Sequence, residues 1–384
     1  MKIGISNFIP ERLTQARESL GLTKAALSQI INVSPATITN WEKGSQLPTE
    51  GKLRTLSDKL EFQIHWFQKQ AKILEESTPY FYRSLSTATK TSRSVAKIKL
   101  NWLNEVTETL EEWLDWPEVN IPSITETRFL KITNQEIEEI AAECRETWSL
   151  GNGPIDNIAQ TIEAAGVILT KVLVGTSKMD GVSKWNEEHK RPYMLIASDK
   201  ANGIRNRFDM AHELGHLVLH RHVSNENFRK YYKEIERQAN YFAGCFLLPA
   251  ESFSSELPWP SLESMLAMKK RWKVSVSAMI MRSYQLELID DDQKLRLYKG
   301  RSARGWTKRE PYDHETPIEE PKLLSRAIQI LLENGFLTKA DVPLNIGLSE
   351  KTIEEICRLP SGFLSNTQQN NTFDNVISIK DYLK

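Results

Sequence analysis

Cysteine is scarce in this chain, and neither sign of charge predominates. The three cysteines, Cys144, Cys245 and Cys357, form no Cys-x-x-Cys pair. Neither a disulfide framework nor a thiolate zinc site is therefore indicated, and simple burial is expected for all three. Lys plus Arg and Asp plus Glu both number 50, which excludes a polybasic nucleic-acid wrapper and an acidic tail. Any contact with nucleic acid must be local.

Long apolar runs are also missing. No stretch approaches the roughly 20 apolar residues of a membrane-spanning helix. The opening MKIGISNFIPERL lacks the apolar core of a secretory signal. These absences predict a soluble, cytoplasmic protein. Its 384 residues are enough for two or three domains, because a single hydrophobic core rarely grows to that size.

Local patterns divide the chain into four regions and predict an α+β fold that is mostly helical. Residues 1–62 form a run of short helices, and residues 63–122 form a helical connector that packs on the next domain. Residues 123–250 combine helices with a small sheet. Residues 251–384 are mostly helical and include a polar, low-order tail around residues 365–371.

Three runs of β-branched or apolar residues predict the strands of the sheet. They are VILTKVLV at 167–174, DGVSKW at 180–185 and RPYMLIAS at 191–198, each bounded by turn residues. Helices resume near Gly203 and continue to about residue 248.

The first region carries clear helix-start signals. Thr23 and Ser34 are expected to be N-cap residues, and Pro35 suits the first position of a helix. Asn32 stands at the turn between these helices, where Asn tolerates a left-handed backbone. The pattern predicts two short helices joined by a tight turn.

The most informative motif is AHELGHLVLH at residues 211–220, in which His212, Glu213 and His216 form a His-Glu-x-x-His arrangement. Residues four apart on a helix lie one turn above each other on the same face, so both imidazoles can bind one metal ion. Glu213 lies beside that face, where it can act as a general base toward a zinc-activated water. The alternative is a solvated helix with two unrelated histidines, but the motif is surrounded by apolar residues, Ala211, Leu214, Leu217 and Val218.

A third ligand is predicted downstream, at Glu236 in IERQANYFAGCFLLP. The distance from His216 allows a turn and a return helix that brings a carboxylate back over the first helix. Glu234 is the competing candidate. Two histidines, one glutamate and an open fourth position are typical of a catalytic zinc site. His220 lies too far along the helix axis to be a ligand, so we expect it to hydrogen-bond behind the ligands or to be structural.

Two segments of the chain carry family resemblances. RFDMAHELGHLVLH with ERQANYFAGCFLLP resembles the ImmA/IrrE family of metallopeptidases, and the likeness runs from about residue 134 to 250. Residues 12–44 resemble the Xre, lambda-repressor-like helix-turn-helix, with TKAALSQI as the positioning helix and SPATITNW as the recognition helix. By this resemblance, residues 1–62 are a DNA-binding domain and residues 123–250 a zincin-like peptidase domain.

The resemblance implies a zinc-dependent endopeptidase that cleaves a repressor or antitoxin-like protein, in a regulator of the kind found in stress responses and on mobile elements. It carries His212 and His216 over as zinc ligands, Glu236 as the third ligand and Glu213 as the general base. The chain departs from the family patterns at Asn32, where glycine is usual, and at Asp209, where a hydroxyl residue is common.

The helix-turn-helix is expected to bind double-stranded operator DNA. Residues 1–60 hold eight basic and five acidic side chains, so the region is locally positive. Such a motif places the first turns of its recognition helix at base edges, and dimers read two half-sites, so a homodimer is expected. A domain kept only for dimerisation or docking is the alternative. The predicted DNA-contacting residues are Lys24, Ser34, Pro35, Ala36, Thr37, Thr39, Asn40 and Lys43.

Two other functions stay open on the sequence alone. The peptidase fold could serve a transcription regulator as a sensor or partner-binding module without proteolysis. The chain could also be an antitoxin that represses its own operon and masks a toxin. Because an open zinc peptidase would damage its host, we expect the centre to be occluded or to require partner docking.

Overall fold

The chain folds into helices packed around one small sheet, which confirms the predicted α+β, mostly helical class. The computed structural model describes residues 5–74, 78–82, 89–124, 126–176, 178–365 and 377–378. From position 366 onward, the predicted low-order tail lies outside these residues. No helix in the described ranges is long and apolar enough to cross a membrane.

The helices of the described chain differ widely in length and in the length of their connections. They are α1 (Pro10–Ser19), α2 (Lys24–Ile30), α3 (Pro35–Glu42), α4 (Glu50–Leu60), α5 (Lys90–Leu110), α6 (Asn134–Thr147), α7 (Ile158–Ala164), α8 (Gly203–Leu219), α9 (Asn225–Lys230), α10 (Tyr232–Leu247), α11 (Ala250–Glu256), α12 (Leu262–Trp272), α13 (Val276–Gln285), α14 (Asp291–Ala303), α15 (Leu323–Glu333), α16 (Asp341–Ile346) and α17 (Glu350–Ile356). Short 3-10 turns lie at Ile64–Gln68 and Glu126–Lys131.

The strands are β1 (Phe81–Tyr82), β2 (Leu114–Asp115), β3 (Ile168–Val172), β4 (Gly181–Asn186), β5 (Arg191–Ala197) and β6 (Ile377–Ser378). The main sheet has the order β1-β4-β5-β3, and β2 pairs with β6 separately. Strand β3 is parallel to β5, whereas β4 is antiparallel to both β5 and β1. The three predicted strands are confirmed as β3, β4 and β5, and β1 is an addition from the connector.

The helix-start predictions in the first region are confirmed. The hydroxyl of Thr23 accepts a hydrogen bond from the Ala26 backbone N–H at 3.1 Å. That of Ser34 accepts from the Thr37 N–H, also at 3.1 Å. Asn32 adopts the left-handed conformation, with φ of 52°. These caps satisfy backbone donors that the first turn of a helix leaves unpaired.

The sheet separates two hydrophobic cores, because successive side chains of a strand point to opposite faces. On one face, Ile168 and Leu195 join a core with α1–α5 and α15–α17. On the other, Leu169 and Met194 join a core with α6–α8 and α10–α13. Residues 251–384 thus contribute helices to both cores, and the domain boundaries at 62, 122 and 250 stay predictions. The cysteines Cys144, Cys245 and Cys357 are all free and buried, as expected.

A buried ion pair joins the first helix to the connector. Arg12 and Glu105 are both fully buried and lie 2.6 Å apart, Nη2 to Oε1. Arg12 has five N–H donors, and its five hydrogen bonds go to Glu105 twice, to Gln15 and to the carbonyl oxygens of Lys69 and Gln70. The guanidinium also lies 4.7 Å from the Trp66 ring centroid. This network anchors α1 on α5.

Glu105→Gln should destabilise the chain by about 3–5 kcal/mol, because removing one member of a buried pair leaves the other charge buried and unpaired. Urea denaturation followed by tryptophan fluorescence measures this. Glu50→Gln is the matched control: its partner Arg54 is 66% exposed, so the loss should stay below about 1 kcal/mol. Equal effects of the two substitutions would contradict the assignment.

Candidate metal centre and DNA-contacting helix

Helices α8 and α10 supply the candidate centre, and a small residue lets them approach. A Cβ atom at Gly215 would lie 3.1 Å from Phe242 Cδ1 and 3.2 Å from the Ala239 carbonyl oxygen. One face of α10 is buried through Ala239, Phe242 and neighbouring apolar residues. Glu236 lies beside that face and reaches toward α8.

The side chains of His212, His216 and Glu236 converge on one point. The two Nε2 atoms lie 3.1 Å apart. The Glu236 carboxylate oxygens lie 3.3 Å from His216 Nε2 and 3.6 Å from His212 Nε2. Both imidazoles are fully buried, whereas 16% of the Glu236 side chain is exposed.

The hydrogen-bond network determines which ring nitrogen of His212 carries the proton. The Asn240 side-chain N–H donates to the Glu236 carbonyl oxygen at 2.7 Å. The amide oxygen of Asn240 therefore faces His212 Nδ1, at 3.2 Å. Because an amide oxygen only accepts, Nδ1 is the donor, and Nε2 of the neutral ring presents a lone pair.

A longer relay determines the tautomer of His216. The Gln238 side-chain N–H donates to the Phe129 carbonyl oxygen at 2.8 Å, so Gln238 Oε1 accepts from His220 Nε2 at 2.9 Å. Burial, with a smaller contribution from the neighbouring His216, lowers the pKa of His220 to about 3. His220 is therefore neutral near pH 7, and its Nδ1 accepts. His216 Nδ1, 3.1 Å away, must donate, so Nε2 of the neutral His216 ring presents a lone pair.

This arrangement fits a divalent metal ion. With neutral rings, two lone pairs and a carboxylate face one another without a proton between them, which is repulsive unless a cation lies there. Glu236 Oε1 is buried and accepts no hydrogen bond from any described residue. Ligand atoms on a tetrahedral zinc ion lie about 3.3–3.6 Å apart. Here the two Nε2 atoms are 3.1 Å apart, Glu236 Oε1 is 3.3 Å from His216 Nε2, and Glu236 Oε2 is 3.6 Å from His212 Nε2.

Strand β4 positions Glu213 beside these ligands. The fully buried Glu213 accepts a hydrogen bond through Oε2 from the Ser183 hydroxyl at 2.6 Å. A Cβ at Gly181 would lie 3.1 Å from both Cγ and Oε1 of Glu213, so only a residue without a side chain leaves this room. The carboxylate is thus held between α8 and β4.

The structure brings together three of the predicted residues, His212, His216 and Glu236, while Glu213 follows His212 on α8 and bonds to Ser183; the roles of all four stay predictions. Glu234, the competing ligand candidate, instead pairs with Arg237 at 2.7 Å. Sequence reasoning missed the residues behind the ligands: Asn240, Gln238 and Ser183. The four-residue spacing between Glu236 and Asn240 was a signal for Asn240. Nothing in the sequence pattern pointed to Ser183.

A cleft of about 840 Å³ borders the centre, between α8, α10, α13 and α14. Asp209 and Asn240 lie on its wall. Basic residues outnumber the acidic Asp209, Glu310 and Asp313 around it, and four of them form ion pairs with carboxylates. The basic residues are Lys200, Arg205, Arg237, Arg301, Lys308 and Arg309.

The first residues of α3, the predicted recognition helix, are exposed to solvent. Ile38 and Trp41 are buried and anchor it on α1 and α2. Lys24 differs from the other predicted contacts, because it pairs with Glu42 at 2.9 Å and has less charge to offer to phosphates. Of the remaining predicted contacts, Ser34, Pro35, Ala36 and Lys43 are exposed, and Thr37, Thr39 and Asn40 are half-buried.

Comparison with protein families agrees with this geometry. Residues 162–284 match the model of the M78 peptidase family, described as an IrrE N-terminal-like domain. Residues 13–67 match a helix-turn-helix model. No curated protein matches the chain. The chain therefore joins an Xre-type helix-turn-helix domain to a metallopeptidase-type domain of the ImmA/IrrE kind, a zincin-like class that implies a metal.

Asn240→Ala should lower the affinity for a divalent metal about 10- to 100-fold. The reason is that Asn240 orients the His212 imidazole through Nδ1, the ring nitrogen that does not face the metal site. Competition with a chromophoric chelator measures this affinity. Glu234→Gln, on the same helix but bonded to Arg237, is the control and should leave it unchanged. A larger loss in the control would make Glu234 the third ligand instead.

Proposed function

We propose that the chain is a DNA-binding transcription regulator with zinc endopeptidase activity, which cleaves a repressor or antitoxin-like protein. The observation that supports this best is the convergence of three proton-free ligand atoms, from His212, His216 and Glu236, beside the buried carboxylate of Glu213. Two histidines, a glutamate and an open fourth position form the ligand set of catalytic rather than structural zinc sites.

Zinc is the metal that this mixed nitrogen and oxygen set suits, with His212, His216 and Glu236 as its ligands. When bound, it supplies Lewis acidity, which polarises a carbonyl and brings the pKa of a water molecule near 7. The chain's own residues determine how that chemistry is used. Asn240 and the relay of His220 and Gln238 hold each imidazole in the tautomer that turns the Nε2 lone pair toward the metal site.

Glu213 performs the proton transfers in this proposal. Its carboxylate removes a proton from the attacking water and delivers it to the leaving amine of the cleaved peptide bond. The Ser183 hydroxyl, 2.6 Å from Glu213 Oε2, restrains the carboxylate. A position fixed before reaction removes the cost of orienting the base.

The helix-turn-helix brings this chemistry to an operator. Ala36, Thr39 and Asn40 on α3 face base edges, and Lys43 faces a phosphate. A homodimer reads two half-sites, and the site of action is the cytoplasm, where operator and repressor meet. Cleavage of a repressor at or near its DNA would then change transcription directly.

Glu213→Gln should reduce cleavage at least about 100-fold, because an amide cannot act as general base. The glutamine side chain still accepts from Ser183, so folding, metal content and DNA binding should be retained. Purified chain is incubated with candidate repressors, and cleavage is followed by mass spectrometry. Glu234→Gln is the control and should cleave like the unaltered chain. Full activity of Glu213→Gln would exclude the mechanism.

Burial of the centre favours a second candidate function. His212, Glu213 and His216 are each 0% exposed, so the metal-binding domain could act as a sensor or partner-binding module without proteolysis. Regulation in cells separates the two candidates. A Glu213→Gln chain that still responds to the inducing condition would favour the sensor, and loss of the response would favour the peptidase.

Asn40→Ala should weaken specific DNA binding by about 1–3 kcal/mol, the range for losing one bidentate contact to a base. The DNA is selected from a random pool by the unaltered chain, and fluorescence anisotropy gives the affinity. Arg54→Ala on α4 serves as control, because its side chain pairs with Glu50 away from α3. Unchanged affinity of Asn40→Ala would remove this residue from the interface.

A further inference from the structure

Strand β4, next to the edge strand β1 of the sheet, packs on α8, which carries two of the proposed ligands. One side of β4 pairs with β5 along its whole length. Two residues of β4 touch Glu213, since Ser183 donates to its carboxylate and Gly181 packs against its side chain. Within the described residues, the other side of β4 pairs with the two residues of β1. Without β1, this edge would be open beside the general base.

Phe81 of β1 covers a proposed metal ligand. Its ring stacks on the His216 imidazole, with centroids 4.9 Å apart and an interplanar angle of 11°. Phe228 packs edge-on against the Phe81 ring, with ring centroids 5.3 Å apart. Phe81 is 1% exposed, so it fills an apolar pocket on top of the metal-binding helix.

The segment around β1, residues 78–82, is held by side chains from two elements. Lys184 of β4 donates to the carbonyl oxygen of Thr78 at 2.7 Å and to its hydroxyl at 2.9 Å. The hydroxyl of Tyr80 donates to Asn101 on α5 at 2.9 Å. The segment therefore runs antiparallel along β4, with Phe81 opposite Ser183.

An extended peptide that binds a sheet edge does so in this way: main-chain hydrogen bonds supply affinity, and alternate side chains enter pockets. We infer that residues 78–82 are a built-in occupant of the β4 edge, and that the protein substrate displaces them with its own extended segment bearing an aromatic residue over His216. This inference rests on the proposed peptidase function, for which it names a substrate class and a means of occlusion.

The lengths of the strands explain how the occupant can be exchanged. Strand β1 pairs with two of the six residues of β4, Val182 and Ser183. A substrate segment of five or six residues can pair with the whole strand and also fill the pocket of Phe81. It therefore gains main-chain hydrogen bonds along Lys184–Asn186, with which the described residues 78–80 form no ladder pair.

The test uses the full chain without metal, so that binding is measured apart from cleavage. Phe81→Asp places a carboxylate in the apolar pocket and should release the segment, and Phe81→Ala should do so more weakly. Tyr82→Asp is the matched control, because Tyr82 faces a cavity shared with Lys90, Arg93 and Lys97, which tolerates a carboxylate. Circular dichroism verifies that each variant is folded.

Two readouts are followed: hydrogen–deuterium exchange of residues 181–186, and anisotropy of a fluorescein-labelled peptide with the sequence of residues 78–82. Phe81→Asp should exchange faster at β4 and bind the peptide at least tenfold more tightly than the unaltered chain and Tyr82→Asp, with Phe81→Ala between them. Equal exchange and equal binding in all folded variants would overturn the inference. A chain that shows these differences but never cleaves would refute the proposed activity instead.

Discussion

The structure depends on the close approach of the ligand atoms of His212, His216 and Glu236 between α8 and α10. Each tautomer follows from a hydrogen-bond chain that ends at the backbone: His212 through Asn240 to the Glu236 carbonyl, and His216 through His220 and Gln238 to the Phe129 carbonyl. These chains orient both Nε2 lone pairs toward the Glu236 carboxylate. The close approach of the helices at Gly215 and the burial of α8 serve this geometry, and a cation is what relieves its repulsion.

The connector links the two ends of the molecule through direct contacts. Glu105 on α5 holds Arg12 of the helix-turn-helix domain, and Asn101 on the same helix holds Tyr80 beside β4. One helix thus contacts both the DNA-binding domain and the segment that covers the centre.

Local patterns predicted the parts of the fold that local forces determine. The caps at Thr23 and Ser34, the three main strands and the histidines one turn apart all depend on neighbouring residues, and the sequence is sufficient for them. Glu236 needed the resemblance to separate it from Glu234. Strand β1 is too short to have a pattern, and the Arg12–Glu105 pair joins residues far apart in sequence. Residues 251–384 are divided between the two cores according to which side of the sheet each helix packs on. Helical periodicity alone does not contain that information.

The most direct test of the account is zinc K-edge X-ray absorption of the purified full chain after loading with zinc and removal of excess metal. We expect one ion per chain, bound by two imidazole nitrogens and carboxylate oxygen at about 2.0–2.2 Å. A folded chain that retains no zinc, or a spectrum with sulfur at about 2.3 Å, would contradict the claim that His212, His216 and Glu236 form a metal centre.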